Sequence, residues 1–126
     1  MAKVCSTVRQ SKKLIKLGID KDTSDMYYEP HPLEGYHSTP RIGRYRSRYN
    51  QFPAWSISAL VKLVLPYLGK FSDGIDFSIE KSMNGKWYTA QYLQCTATKP
   101  VKVVTGKTVF DAVFNMVCWL KENGKI

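Results

Sequence analysis

Two histidines, His31 and His37, and three cysteines, Cys5, Cys95 and Cys118, are the side chains of this 126-residue chain best suited to a transition metal. Zinc sites bring their ligands in closely spaced pairs such as Cys-x-x-Cys, and no such pair occurs here. Asp20, Asp22 and Asp25 offer hard carboxylate oxygens within six residues. They lack the central glycine and distal glutamate of a calcium loop, so they read as turn and cap residues. Gly106-Lys107-Thr108 has the ending of a phosphate-binding loop, but that loop needs a second glycine at position 101, where valine stands. Serines and threonines are plentiful, yet no Gly-x-Ser-x-Gly elbow exists to activate one. The sequence therefore names no catalytic, cofactor-binding or metal-binding residue, and predicts a chain that is not an enzyme.

What remains is binding chemistry. Arg41, Arg44, Arg46 and Arg48 alternate with Tyr45 and Tyr49 in an acid-free stretch that runs on to Phe52. Arginine grips phosphate or carboxylate with two parallel hydrogen bonds, and tyrosine offers a stacking plane. A second cationic group, Arg9, Lys12, Lys13 and Lys16, recurs at helical spacing with no acid among its members. Trp87 falls on the polar face of a hairpin and is the third candidate contact. The formal charge of +9 is unevenly laid out: residues 1–18 carry +5, residues 19–34 carry −4 and residues 41–48 carry +4. Because the acidic stretch lies between the two basic ones, it is placed to neutralise either.

These groups are carried by elements that the sequence punctuates clearly, one stretch excepted. Thr7 and Gln10 have capping-box spacing, Val8, Ser11, Leu14, Ile15 and Leu17 follow a helical period, and Gly18 stands where a left-handed cap is wanted. From Ile19 to about Gln51, Pro30, Pro32, Pro40, Gly35 and Gly43 break every period, so residues 19–52 read as an irregular insertion. Ser56 caps a largely apolar helix that Pro66 discourages from continuing. Asn84-Gly85 between alternating runs signals a two-residue hairpin, which pairs Ile79 with Ala90 and Phe77 with Tyr92. Ile75, Phe77, Ile79, Ala90 and Tyr92 then share one face. Val101–Val104 makes a third strand after Pro100, and Thr108 with Asp111 caps a final helix striped by Phe110, Val113, Phe114, Val117 and Leu120.

The expectation is a two-layer α+β fold in a single domain over 1–126: an N-terminal helix, the insertion 19–52, and an αβββα core over 53–124. No apolar run approaches the roughly 20 residues of a membrane span. The N-terminus lacks the apolar centre of a secretory signal, and three widely spaced cysteines fit reduced thiols. A cytoplasmic protein with no membrane partner is the expected setting.

Pro53-Ala54-Trp55-Ser56-Ile57-Ser58-Ala59-Leu60, Asp111-Ala112-Val113 and Met116-Val117-Cys118-Trp119-Leu120-Lys121-Glu122-Asn123-Gly124 together resemble a group of uncharacterised small proteins from gut Bacteroidales phages and integrated mobile elements. Cys5-Ser6-Thr7, Gln10-Ser11-Lys12-Lys13-Leu14 and Thr23-Ser24-Asp25-Met26-Tyr27-Tyr28 are similar to the same group, so the resemblance covers about half the chain. It implies a phage or mobile-element protein in the cytoplasm of a bacterial host and carries over no catalytic residue. The order of elements also resembles a small sandwich domain of phage proteins and, more loosely, the double-stranded-RNA-binding domain. That domain reads RNA with a long first hairpin loop and a lysine cluster opening its last helix. Here a tight Asn-Gly turn and a lone Lys107 stand in those places.

Two functional expectations follow. The first is a non-enzymatic accessory protein, an inhibitor or assembly partner, that binds a host or phage protein. The second is a basic nucleic-acid binder using Arg41 to Arg48 and the Arg9 to Lys16 helix face.

Overall fold

The capping box closes as its spacing requires. Thr7 Oγ1 accepts from the Gln10 N–H at 3.1 Å, and Gln10 Oε1 accepts from the Thr7 N–H at 3.0 Å. This opens α1 (Val8–Leu17), which Gly18 ends in a left-handed conformation with the Ile19 N–H reaching back to the Leu14 carbonyl at 3.0 Å. The computed structural model that gives these features describes residues 4–33, 35–68, 75–83, 85–94, 102–124 and 126. Glu34, Asn84, Cys95, Pro100 and Val101, which carry sequence expectations, lie outside the described residues.

The fold is α+β, and the chain divides into two compact units between Ala59 and Leu60. In the first unit, α1 and a short 3-10 turn (Lys21–Thr23) lead to β1 (Met26–Tyr28). A small hairpin, β2 (Pro30–His31) with β3 (Gly35–Tyr36), precedes β4 (Arg41–Ile42); a second 3-10 turn (Ser47–Tyr49) precedes β5 (Phe52–Ala54). β1 lies between β4 and β5, antiparallel to both, with Met26 opposite Ile42 and Ala54. Residues 19–52 are therefore not an irregular insertion: they contain the central strand of a sheet. The structural boundary also falls after Ala59 rather than at residue 53, because Phe52–Ala54 pairs with β1 and belongs to the first unit. Met26, Tyr28 and Ala54 pack with Cys5 into a buried cluster bordered by Val8, Tyr36 and Phe52.

That cluster is tied together by buried polar groups. Ser6 lies fully buried; its Oγ accepts from the Trp55 N–H at 2.9 Å and bonds Ser11 Oγ at 2.7 Å, while its N–H donates to the Trp55 carbonyl at 2.9 Å. The Ser6 carbonyl accepts from the Tyr28 hydroxyl at 2.8 Å. Asp25 receives both the N–H and the hydroxyl of Ser56, and Ser56 Oγ in turn accepts from the Ala59 N–H at 3.2 Å. The expected N-cap of α2 (Ile57–Leu68) is thus in place, and Asp25 orients it. Trp55 Nε1 donates to Thr23 Oγ1 at 2.9 Å, so one Trp-Ser dipeptide ties the N-terminal segment and the turn at 20–25 to the start of α2. α2 runs past Pro66 to Leu68, contrary to the sequence expectation: proline removes one N–H donor from a helix already begun and disfavours the helical conformation before it without barring it.

In the second unit β6 (Ile75–Lys81), β7 (Tyr88–Gln94) and β8 (Lys102–Gly106) form an antiparallel sheet in sequence order. The register is the expected one, with Ile79 opposite Ala90 and Phe77 opposite Tyr92, whose rings lie 5.3 Å apart. α3 (Val109–Glu122) packs on β7 and β8 and buries Phe110, Val113, Phe114, Val117 and Leu120. Each such side chain contributes about 1.5–3 kcal/mol relative to exposure. Thr108 Oγ1 accepts from the Asp111 N–H at 3.0 Å, so Gly106-Lys107-Thr108 is a strand-to-helix turn. Among the described residues no helix is long and apolar enough to cross a membrane.

Two measurements check this account. A Cβ at Gly106 would stand 2.4 Å from the Ala112 backbone nitrogen and 2.6 Å from the Asp111 carbonyl carbon, neither of which can yield without moving α3. Gly106→Ala should lower unfolding stability by at least about 2 kcal/mol in urea titrations. Burial, helped by the Cys5 thiol 3.6 Å away, raises the Tyr28 phenol above its usual value near 10. The folded state then holds a proton that the unfolded chain releases. Stability from this group is complete below pH 10 and is lost as pH rises above it, by about 1.4 kcal/mol per pH unit. Alkaline unfolding of the wild type should accordingly be steeper with pH than that of Tyr28→Phe.

Candidate functional site

The arginine run is shaped by a backbone crossing. After β4, the Gly43 N–H donates to the Asp25 carbonyl at 3.0 Å, and Gly43 takes φ +138°, a conformation that side chains strain. A Cβ there would lie 3.3 Å from Tyr27 Cε1, so glycine lets the chain pass close over that ring. The run then turns through Ser47–Tyr49 and ends at Asn50 in a left-handed conformation, φ 58°, which asparagine tolerates. Gln51 fastens the loop at both ends of its amide. Its Oε1 accepts from the Arg46 N–H at 2.8 Å, and its Nε2 donates to Glu29 Oε1 at 3.2 Å.

Folded in this way, Arg44, Arg46 and Tyr49 line a cleft of about 340 Å³ together with Tyr27, Ile42, Gly43 and Gln51. Arg44, Tyr45, Arg46 and Arg48 line a neighbouring cleft of about 480 Å³ with Asp22 and Ser47. Arg41 instead faces a third cleft, with Glu29, Pro30, His37, Ser38 and Thr39. The four arginines are exposed. Arg44 Nη2 bonds Asp22 Oδ1 at 3.3 Å, an ion pair open to solvent on both sides and therefore worth no more than about 1 kcal/mol. Arg48 lies over the Tyr49 ring, 4.9 Å from its centre. Among the described residues, Arg46 and Arg48 have no ion-pair partner.

α1 presents the other basic group. Arg9, Lys12, Lys13 and Lys16 are all exposed while Ser11 and Leu14 are buried. Arg9–Lys13 and Lys12–Lys16 are like-charge pairs four residues apart, and Arg9–Lys12 and Lys13–Lys16 are three apart. The first turn holds no acid to offset the positive end of the helix dipole. Together these arrangements oppose helix formation by on the order of 1–3 kcal/mol.

Both basic groups belong to the first unit. Trp87 belongs to the second, where it is 45% exposed beside β7, with its carbonyl accepting from the Ser82 N–H at 2.9 Å. Met83 on the same hairpin is fully exposed.

Ile42 and Gln51 lie within the run that the sequence singles out but not among its candidate contacts, and Tyr27 lies outside the run altogether. The pairing of Tyr27 with Arg41 brings that ring to the cleft, and three-residue strands leave no periodic trace. The three aspartates have structural work. Asp20 Oδ1 accepts from the Asp22 N–H at 2.9 Å, Asp22 meets Arg44, and Asp25 holds Ser56. His31 and His37 touch edge to face with ring centres 4.7 Å apart, and His31 Nδ1 accepts from the Leu33 N–H at 3.1 Å. Among the described residues, no three His, Cys, Asp or Glu side chains are grouped to hold a metal.

Set beside known proteins, the chain matches no protein-family model, no curated protein and no solved structure.

The close approach at Gly43 supplies a test of the cleft's geometry. Gly43→Ala adds backbone strain and pushes on the Tyr27 ring, so stability should fall by about 1–3 kcal/mol. The fluorescence and near-ultraviolet dichroism of the tyrosines should change with it.

Proposed function

We propose that this chain is a non-enzymatic accessory protein of a phage or mobile element that acts by binding a host or phage protein through the Arg41 to Tyr49 surface. One observation carries the reading: Ile42, 87% exposed, lines the same cleft as Arg44, Arg46, Tyr27 and Tyr49. Binding energy between proteins concentrates in tyrosine and arginine grouped around apolar contacts. The charge layout supports it as well. Asp22 stands among the arginines and Glu29 beside Arg41, so the surface alternates in sign. A protein surface of mixed charge complements such a pattern, and a continuous row of phosphates does not. The phage or mobile-element setting rests on the resemblance of Pro53–Leu60 and of the residues of α3. Binding at this surface fits an inhibitor or an assembly partner.

The test is affinity capture from nuclease-treated host lysate, comparing wild type with Ile42→Asp and with Arg46→Ala/Tyr49→Ala. Both variants alter exposed side chains, and circular dichroism should show them folded. The expected result is a protein recovered in stoichiometric amount by the wild type and reduced at least about 30-fold by each variant, equivalent to a hot-spot loss of about 2 kcal/mol. Equal capture by the variants, or material that nuclease removes, would refute the proposal.

A further inference from the structure

We infer that the exposed face of α1 is a contact for the phosphate backbone of nucleic acid, separate from the surface proposed above for a protein. Arg9, Lys12, Lys13 and Lys16 fall within an arc of about 100° on a helix of 3.6 residues per turn. They form a row about 10 Å long, the axial length of roughly three phosphates on one strand. No acid occurs anywhere in α1, and among the described residues none of the four has an ion-pair partner.

The row works against the helix that carries it. Its members repel one another at three- and four-residue spacing, and Arg9 sits at the end where the helix dipole is already positive. Among the described residues no ion pair relieves this repulsion, whereas a polyanion would. The chemistry favours phosphate backbone over the other anionic surfaces. A bilayer-bound helix inserts an apolar face, but Leu14 of α1 is fully buried within the protein. A protein interface needs apolar or aromatic anchors, and the arc between Lys12 and Lys13 contains only the four cations. A linear, purely cationic row gives binding that follows the backbone and ignores base sequence.

The full chain is titrated by fluorescence anisotropy against a labelled 20-base-pair duplex of random sequence, between 50 and 200 mM KCl. Four phosphate contacts give a slope of log K against log salt of about −3.6, a loss of about 10²-fold over that range. Arg9→Gln/Lys13→Gln removes two charges with little change in helix propensity. It should reduce the slope by about two, and its melting temperature should equal or exceed that of the wild type because repulsion is removed. Arg9→Lys/Lys13→Arg should keep the wild-type slope, and so should Ile42→Asp. The inference is overturned if the Gln variant keeps the wild-type slope, or if it loses affinity only with a fall in melting temperature. Equally tight, equally stripe-dependent binding to vesicles of phosphatidylserine and phosphatidylcholine would also overturn it, by making the row a general anion surface.

Discussion

The first unit depends on one dipeptide. Trp55, fully buried, and Ser56, half-buried, offer two backbone N–H groups, a carbonyl, an indole N–H and a hydroxyl, and each of these finds a partner inside the protein. Ser6 satisfies the Trp55 backbone on both sides, Thr23 accepts from the indole, and Asp25 receives both donors of Ser56. The partners lie 31 to 49 residues away in sequence. The N-terminal segment, the turn at 20–25 and the start of α2 are therefore fixed by the same few atoms. The buried part of this network is exacting, because removing Ser6 Oγ leaves the Trp55 N–H unsatisfied at about 1–3 kcal/mol.

The arginine surface inherits its shape from that network. Asp25 holds Ser56 with its carboxylate and Gly43 with its backbone carbonyl, so the residue that orients the α2 cap also sets where the chain leaves β4. From that point Gly43 crosses the Tyr27 ring and Gln51 draws the loop back toward Glu29. The arginines are thus displayed by a loop braced at three points rather than by a free segment. Bracing lowers the entropy lost when a partner orders these long side chains.

Local signals in the sequence were legible wherever the physics is local. The Thr7–Gln10 box, the Gly18 cap, the Thr108 cap and the hairpin register are each determined by residues within a few positions of one another. The strands between residues 26 and 42 were not legible. Two or three residues cannot show alternation; Pro30 and Gly35 read as breakers, yet each sits in a two-residue strand, too short for the missing proline donor to matter. Of the proposed binding surface, the arginines, Tyr45 and Tyr49 were visible as a run. Tyr27 was not, because pairing between strands brings it to the cleft, and Ile42 and Gln51 lay within the run with nothing in their types to mark them as contacts. Helix periodicity places Arg9 to Lys16 on one face, but that they form no ion pair among the described residues emerges only once Asp20, Asp22, Asp25 and Glu29 are seen engaged elsewhere.

That last point separates two segments of equal formal charge. In the 41–48 run, Asp22 answers Arg44, Tyr49 lies under Arg48, and Ile42 adds apolar surface, so its field is broken and its chemistry mixed. In α1 the same charge of +4 is uninterrupted; its members repel one another, and Arg9 also opposes the positive end of the helix dipole, while Lys16 in the last turn does not. Screening acts on both alike, with a reach near 10 Å at ordinary salt. The arginine run meets an acid in direct contact, and among the described residues the four cations of α1 form no ion pair. Net charge of +9 describes the chain as one basic object, whereas the folded first unit carries one surface made for mixed contacts and one made for a row of like charges. The difference arises from which cations the acidic stretch reaches, and that is decided by the turn at Asp20 to Asp25 and the hydrogen bonds that hold it.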